Sequence, residues 1–109
     1  MSPQAPQLGA FEARDALAAG ATAVDVREPD EWAAGRLPGS TWIPLGELGA
    51  RLDDLPDGPL VIVCRSGSRS AMVADALVGI GRDARNLAGG LKLWAAAGLP
   101  LEPADGHVL

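Results

Sequence analysis

An α/β domain with a mostly parallel sheet is the fold class this chain predicts, and three observations predict it. Short apolar runs alternate with segments of helical spacing. Turn formers such as Pro38-Gly39 and Asp57-Gly58-Pro59 punctuate the alternation. The chain has 109 residues, enough for one core and too few for two.

In order along the chain, residues 1–7 carry two prolines and no periodicity, and read as a flexible leader. A helix is expected from Gly9 to Ala19, closed by Gly20. Ala23-Val24-Asp25-Val26 reads as a short buried strand. Glu28-Pro29-Asp30-Glu31-Trp32 has the proline and acids of a helix start, so Asp30 and Glu31 are read as helix-start charges. Gly35 stops that helix, and Pro38-Gly39 turns into an extended piece around Trp42-Ile43. Leu45, Leu48, Leu52 and Leu55 fall at helical spacing before Pro56. Leu60-Val61-Ile62-Val63 is a buried strand. Ser70 to Ile80 reads as a helix with Met72, Val73, Ala76, Leu77 and Ile80 on one stripe. Arg85-Asn86-Leu87 is a last strand, and Gly89-Gly90 precedes a short helix through Trp94. The folded unit is thus expected over residues 8–102, with a flexible tail over 103–109. Trp32 and Trp94 are read as packing residues; for Trp42, packing against a neighbour is favoured over walling one side of a substrate entrance.

Bulk composition narrows the function classes. With 48% apolar and 21% charged residues the chain is globular. Its net charge of −5 argues against nucleic-acid binding, which needs a basic face. No apolar stretch has membrane-spanning length, so no membrane partner is expected. One cysteine excludes an internal disulfide, a CxxC redox pair and a multi-cysteine zinc site. A free thiol suits a reducing compartment, and a cytoplasmic location is expected.

That cysteine, Cys64, ends the strand 60–63 and opens the loop Cys64-Arg65-Ser66-Gly67-Ser68-Arg69-Ser70. A thiol at a strand-to-helix turn has the following amides free to converge on whatever the sulfur carries. Two arginines share the loop, and no acid occurs between Leu60 and Ala74. A helix N-terminus with adjacent guanidinium groups favours thiolate over thiol, so a depressed pKa is expected, with a locally positive field suited to a small anion. The sulfhydryl is expected to lie exposed in its cradle of N–H groups. Alone, a cysteine ending a buried strand is more often a small core residue; the loop around it argues for a nucleophile.

Four blocks carry a resemblance to a known family: Val24-Asp25-Val26-Arg27-Glu28, Gly35-Arg36-Leu37-Pro38-Gly39-Ser40, Val63 through Ser70, and Leu87-Ala88-Gly89-Gly90 with Trp94. In this order and spacing they resemble the small single-domain rhodanese-like sulfurtransferases. The resemblance implies a central, mostly parallel five-stranded sheet with helices on both faces. It also implies that Cys64 takes a sulfane sulfur from thiosulfate or a similar small anionic donor, holds it as a persulfide, and passes it to a thiol, cyanide or protein acceptor. Arg65, Ser66, Gly67, Ser68, Arg69 and Ser70 would bind substrate, with Arg69 as the main anion contact. Asp25 and Arg27 match a strand-end Asp-x-Arg motif and would orient the loop. No metal or organic cofactor is implied, because the sulfur itself is held covalently. Arg36 stands where many members have histidine, and Trp42 where a smaller polar residue is usual.

Other classes fit less well. Cysteine phosphatases have a longer loop between cysteine and arginine than the four residues between Cys64 and Arg69. The sole histidine, His107, lies in the tail, so a Cys–His protease pair is not expected. The alternative that stays open is a sulfur-carrier or protein-interaction module that exchanges sulfur only with a protein partner.

Overall fold

Leu60–Val63 (β4) is buried along its whole length and forms the middle of the sheet in the computed structural model, which describes residues 4–109. Its side chains alternate between two cores, as a period of two requires. Leu60 and Ile62 join one cluster, Val61 and Val63 the other. A strand buried on both faces reads as a continuous apolar run, which is why it stands out in the sequence.

Around β4 the order is β1 (Gln7–Leu8), β5 (Ala84–Leu87), β4, β2 (Thr22–Asp25) and β3 (Thr41–Trp42), with every pairing parallel. Helices cover both faces. On the Leu60/Ile62 side lie α3 (Leu45–Leu48) and α4 (Ser68–Gly79), contributing Leu48, Val73, Ala74 and Leu77. On the other side lie α1 (Ala10–Ala18) and α5 (Gly90–Ala96), contributing Ala13, Leu91 and Trp94. The remaining helix, α2 (Pro29–Ala34), follows β2; Pro29 opens it, and the Glu31 carboxylate accepts the Glu28 N–H at 3.1 Å, a capping box. The five-stranded α/β architecture expected from the sequence is thus present, and its sheet is entirely parallel.

Four expectations need correction. The leader is folded where it is described: the Ala5 N–H donates to Asp75 Oδ1 at 2.7 Å, and Gln7–Leu8 forms an edge strand on β5. Two residues are too few to show a period; positions 1–3 lie outside the described residues. The tail is held as well. Arg36 and Glu102 exchange backbone bonds of 2.9 and 2.7 Å, the His107 N–H donates to the Ala34 carbonyl at 3.0 Å, and Val108 packs on the second core. This docking depends on two glycines far apart in the chain: a Cβ on Gly35 would sit 2.5 Å from the His107 carbonyl oxygen, and one on Gly106 3.1 Å from the Ala34 oxygen.

The leucine series 45/48/52/55 is not one helix but α3 followed by a 3-10 turn over Leu52–Asp54; Gly46 and Gly49 lower the helix propensity between them. In α4 the buried face is Ser70, Val73, Ala74 and Leu77, while Met72 and Ile80 are 64% and 63% exposed. The helix is therefore rotated toward its N-terminal serine, which the Cys64 loop requires.

The Cys64 loop as candidate active site

Parallel strands place their carboxyl ends on one edge, where open α/β sheets hold their ligands. The register Asp25↔Val63 puts Cys64 one residue past the end of β4 and beside the end of β2. There the chain turns sharply into α4. Gly67 makes the turn in the left-handed region at φ +99°, and a Cβ there would meet the Gly89 amide nitrogen at 3.0 Å.

Three donors converge on Cys64 Sγ. The Gly67 N–H lies at 3.1 Å, the Ser70 N–H at 3.4 Å and the Ser70 hydroxyl at 3.2 Å. Burial pushes the thiol up, but the Ser70 hydroxyl and the amides of Ser70, Gly67 and Ser66 outweigh it and hold the thiol below its ordinary value. The sulfur is not exposed as expected. Cys64 is 0% accessible and belongs to the core cluster that holds Val73 and Ala74 of α4. The N–H groups do converge.

The backbone of the loop is pinned from behind. The Cys64 and Arg65 carbonyls accept the Leu91 and Lys92 amides at 2.9 and 3.0 Å, at the start of α5. That close approach needs Gly90, at φ +62°, where a Cβ would lie 2.4 Å from the Arg65 oxygen. With its carbonyls turned toward α5, the loop leaves N–H groups for the sulfur. Asn86, buried on β5, adds a bond from Nδ2 to the Gly67 carbonyl at 3.1 Å and another to Gln7 Oε1 at 2.8 Å. Asn86 escaped the sequence reading, since an asparagine inside a short strand carries no signal of its partner.

Asp25 and Arg27 are fully buried and paired. Arg27 Nη2 and Nε reach the Asp25 carboxylate at 2.8 and 3.0 Å. The rest of the guanidinium goes to the backbone, to the Gly35 carbonyl at 2.8 Å and the Glu31 carbonyl at 3.2 Å. The pair therefore braces both ends of α2 and touches no loop residue through a hydrogen bond.

What α2 presents to the loop is Glu31. Its carboxylate takes Arg69 in a fork, Nη1–Oε1 at 2.8 Å and Nη2–Oε2 at 2.9 Å. Arg69 holds the Glu31 carboxyl below the usual range, against burial, which raises it; the Glu28 amide adds to the lowering. Two readings change. Glu31 is more than a helix-start charge, and Arg69 is a paired cation. An acid brought from another element offsets the Arg69 charge, which the loop's own sequence does not reveal. Arg65 is exposed and donates Nε to the Leu109 carbonyl at 2.9 Å. Ser66 and Ser68 are exposed, and Ser70 is the one loop serine whose hydroxyl reaches the sulfur.

Flanking the site, Trp42 stacks on Trp32 with ring centroids 5.5 Å apart and 10° between planes. Arg36 lies over the Trp32 ring at 5.0 Å from its centroid, and Trp42 Nε1 donates to the Arg27 carbonyl at 2.9 Å. The positions where the family usually has a histidine and a smaller polar residue are thus filled by two residues that both pack on Trp32, joining α2 to β3. Among the described residues no group of acidic, histidine or cysteine side chains has the arrangement of a metal site.

The family model described as Rhodanese-like domain matches residues 10–97. The chain belongs to the rhodanese-like family. A curated sulfurtransferase of Allochromatium vinosum is 40% identical over 86 residues, covering 76% of this chain and 79% of that protein. The thiosulfate sulfurtransferase GlpE of Pseudomonas putida is 37% identical over 91 residues, covering 81% of each. Among solved structures, a rhodanese-related protein of Thermoplasma volcanium superposes with a TM-score of 0.83 at 30% identity, covering 88% of this chain and 96% of that one. The rhodanese-like fold places Cys64 at the carboxyl edge of its parallel sheet. No helix of the described residues is long and apolar enough to cross a membrane.

Proposed function

We propose that this rhodanese-like protein transfers a sulfane sulfur through a persulfide on Cys64. One observation carries the reading: three donors, the Gly67 and Ser70 amides and the Ser70 hydroxyl, meet at Sγ within 3.1–3.4 Å. A structural cysteine has no use for such a cluster, whereas a thiolate and a terminal persulfide sulfur both do.

In the first step the Cys64 thiolate attacks the outer sulfur of the donor. A bond forms between Sγ and that sulfur, and the donor's sulfur–sulfur bond breaks. With thiosulfate the electron pair leaves on sulfite; Cys64 then carries the persulfide anion. In the second step a thiophilic acceptor, a thiol, cyanide or a protein thiolate, attacks the terminal sulfur and the electron pair returns to Sγ. Charge is carried from donor to terminal sulfur, and the amides of the 65–70 loop face that charge without having to reorganise. Gly67 supplies the turn, and Ser70 the hydroxyl. Ser66 and Ser68 flank the mouth, with Arg65 at its rim. Asp25 and Arg27 act at one remove, through α2. A free thiol with this role suits the reducing cytoplasm.

Intact mass tests the proposal. After incubation with a sulfane donor such as thiosulfate, the protein is expected to gain the mass of about one sulfur atom, reversibly with cyanide or reductant. The Cys64→Ala variant should gain nothing; a gain in that variant would refute the assignment. Steady turnover with small acceptors marks a free enzyme, and discharge only to a protein thiol marks a carrier.

A further inference from the structure

The same site carries an inference about which donors it takes, resting on the persulfide reading above. Of the two cations of the loop, only Arg69 is paired with an acid; Arg65, exposed at the rim, keeps its charge. Arg65 donates to the Leu109 carbonyl, and Arg69 gives both Nη atoms to Glu31. A forked guanidinium–carboxylate pair presents no net charge to a ligand beside it. Glu31 is also not free to swing away. Its Oε1 holds the Glu28 N–H at 3.1 Å, its side chain is only 13% exposed, and its carbonyl is held by Arg27, itself locked on buried Asp25. Glu28 and Asp30, exposed on the same turn, add negative charge nearby. At the sulfur itself, what remains to meet an incoming anion is the amide cradle and the Ser70 hydroxyl, a set matched to one negative charge on sulfur, with Arg65 at the rim.

We propose that Glu31 is a specificity-determining residue: by neutralising Arg69 it makes the Cys64 site select monoanionic organic persulfide-type donors over the dianion thiosulfate. Glu31 acts through Arg69 and touches no reacting atom. For such a donor the thiolate of Cys64 forms a bond to the terminal sulfur of R–S–S⁻. The donor's sulfur–sulfur bond breaks, R–S⁻ departs with the electron pair, and Cys64–S–S⁻ remains. No proton, oxidant or reductant is required.

The test compares thiosulfate with methanethiosulfonate, which has the same sulfane linkage and one negative charge fewer. Rates of loading are read by intact mass in wild type and in Glu31→Gln. Glutamine keeps the capping-box acceptor, so α2 retains its start. Releasing the Arg69 charge is expected to raise the thiosulfate-to-methanethiosulfonate ratio of loading rates about tenfold. An unchanged ratio, including an equal loss with both donors, would overturn the inference while leaving the persulfide intact. Ionic strength supplies a second readout, comparing wild type with Arg65→Ala. Any slowing of thiosulfate loading between about 0.01 and about 0.5 M should vanish in Arg65→Ala, since Arg65 is the loop cation that no acid offsets. A slowing of about threefold or more retained in Arg65→Ala would overturn the inference even if Glu31→Gln fails to fold. Absence of loading of wild-type Cys64 by either donor would refute the persulfide reading, and this one with it.

Discussion

Ser70 gives Cys64 two hydrogen bonds, one from its backbone N–H at 3.4 Å and one from its hydroxyl at 3.2 Å. Both come from the first turn of α4, and this explains why that helix is rotated to bury a serine and expose Met72. The helix N-terminus and the hydroxyl act on the same atom, and together with the Gly67 amide they offset the desolvation of a sulfur with no solvent contact.

The first prediction concerns that hydroxyl. Because the folded thiol titrates below its ordinary value, its thiolate fraction at neutral pH exceeds that of an unperturbed cysteine, and falls as pH drops through the lowered pKa. In Ser70→Ala the largest lowering contact is gone while burial stays. The midpoint of Cys64 alkylation by iodoacetamide against pH should move upward. At pH 7 the rate should drop by about tenfold, the equivalent of one pKa step. An unmoved midpoint would show that the amides alone hold the thiolate.

Gly90 provides the second. Its φ of +62° and the 2.4 Å from a built Cβ to the Arg65 oxygen leave no room for alanine. Gly90→Ala must push the start of α5 away from the Cys64 and Arg65 carbonyls. A loss of about 1–3 kcal/mol in urea unfolding is expected, with persulfide loading falling further than the stability loss explains. Loading preserved at the wild-type rate would show that the pinned carbonyls do not shape the cradle.

A third prediction separates bracing from chemistry. Asp25→Ala leaves the Arg27 guanidinium fully buried without its carboxylate, which typically costs about 3–5 kcal/mol. Removing both charges together, Asp25→Ala with Arg27→Met, should restore a large part of that loss, as thermal unfolding would record. A double variant no more stable than the single would count against a simple buried-pair account.

The tail supplies the fourth. Gly35 is extended at φ 170°, a conformation open to any residue, so the effect of Gly35→Ala is purely steric: its Cβ would meet the His107 carbonyl at 2.5 Å. Hydrogen exchange at the His107 amide, which bonds the Ala34 carbonyl, should speed up at least tenfold, about 1.4 kcal/mol of local protection. The amides of β4 should be much less affected. Protection unchanged at His107 would mean that the tail is held by other contacts, such as Val108 on the second core.

Much of this protein is written locally in its chain. The run Leu60–Val63, the glycine at 67 and the serine at 70 are neighbours in sequence, and the strand, the left-handed turn and the converging donors follow from local geometry within a few residues. The same holds for the start of α2, where proline and acids mark the cap. The leucines at 45, 48, 52 and 55 misled because spacing alone does not register the glycines between them, and the leader misled because a two-residue edge strand has no period.

Tertiary structure decided the rest. Glu31 reaches Arg69 only because β2 lies beside β4 in the register Asp25↔Val63, which carries α2 to the edge of the Cys64 loop. Asn86 meets Gly67, and Gly90 meets Arg65, for the same kind of reason. Charges and backbone contacts brought together from distant positions depend on strand order and register, and the chain near Cys64 holds no trace of them. Sequence alone therefore marked Cys64 and its loop as the candidate site; packing decided how the Arg69 charge is offset, because the carboxylate that pairs with it arrives through space.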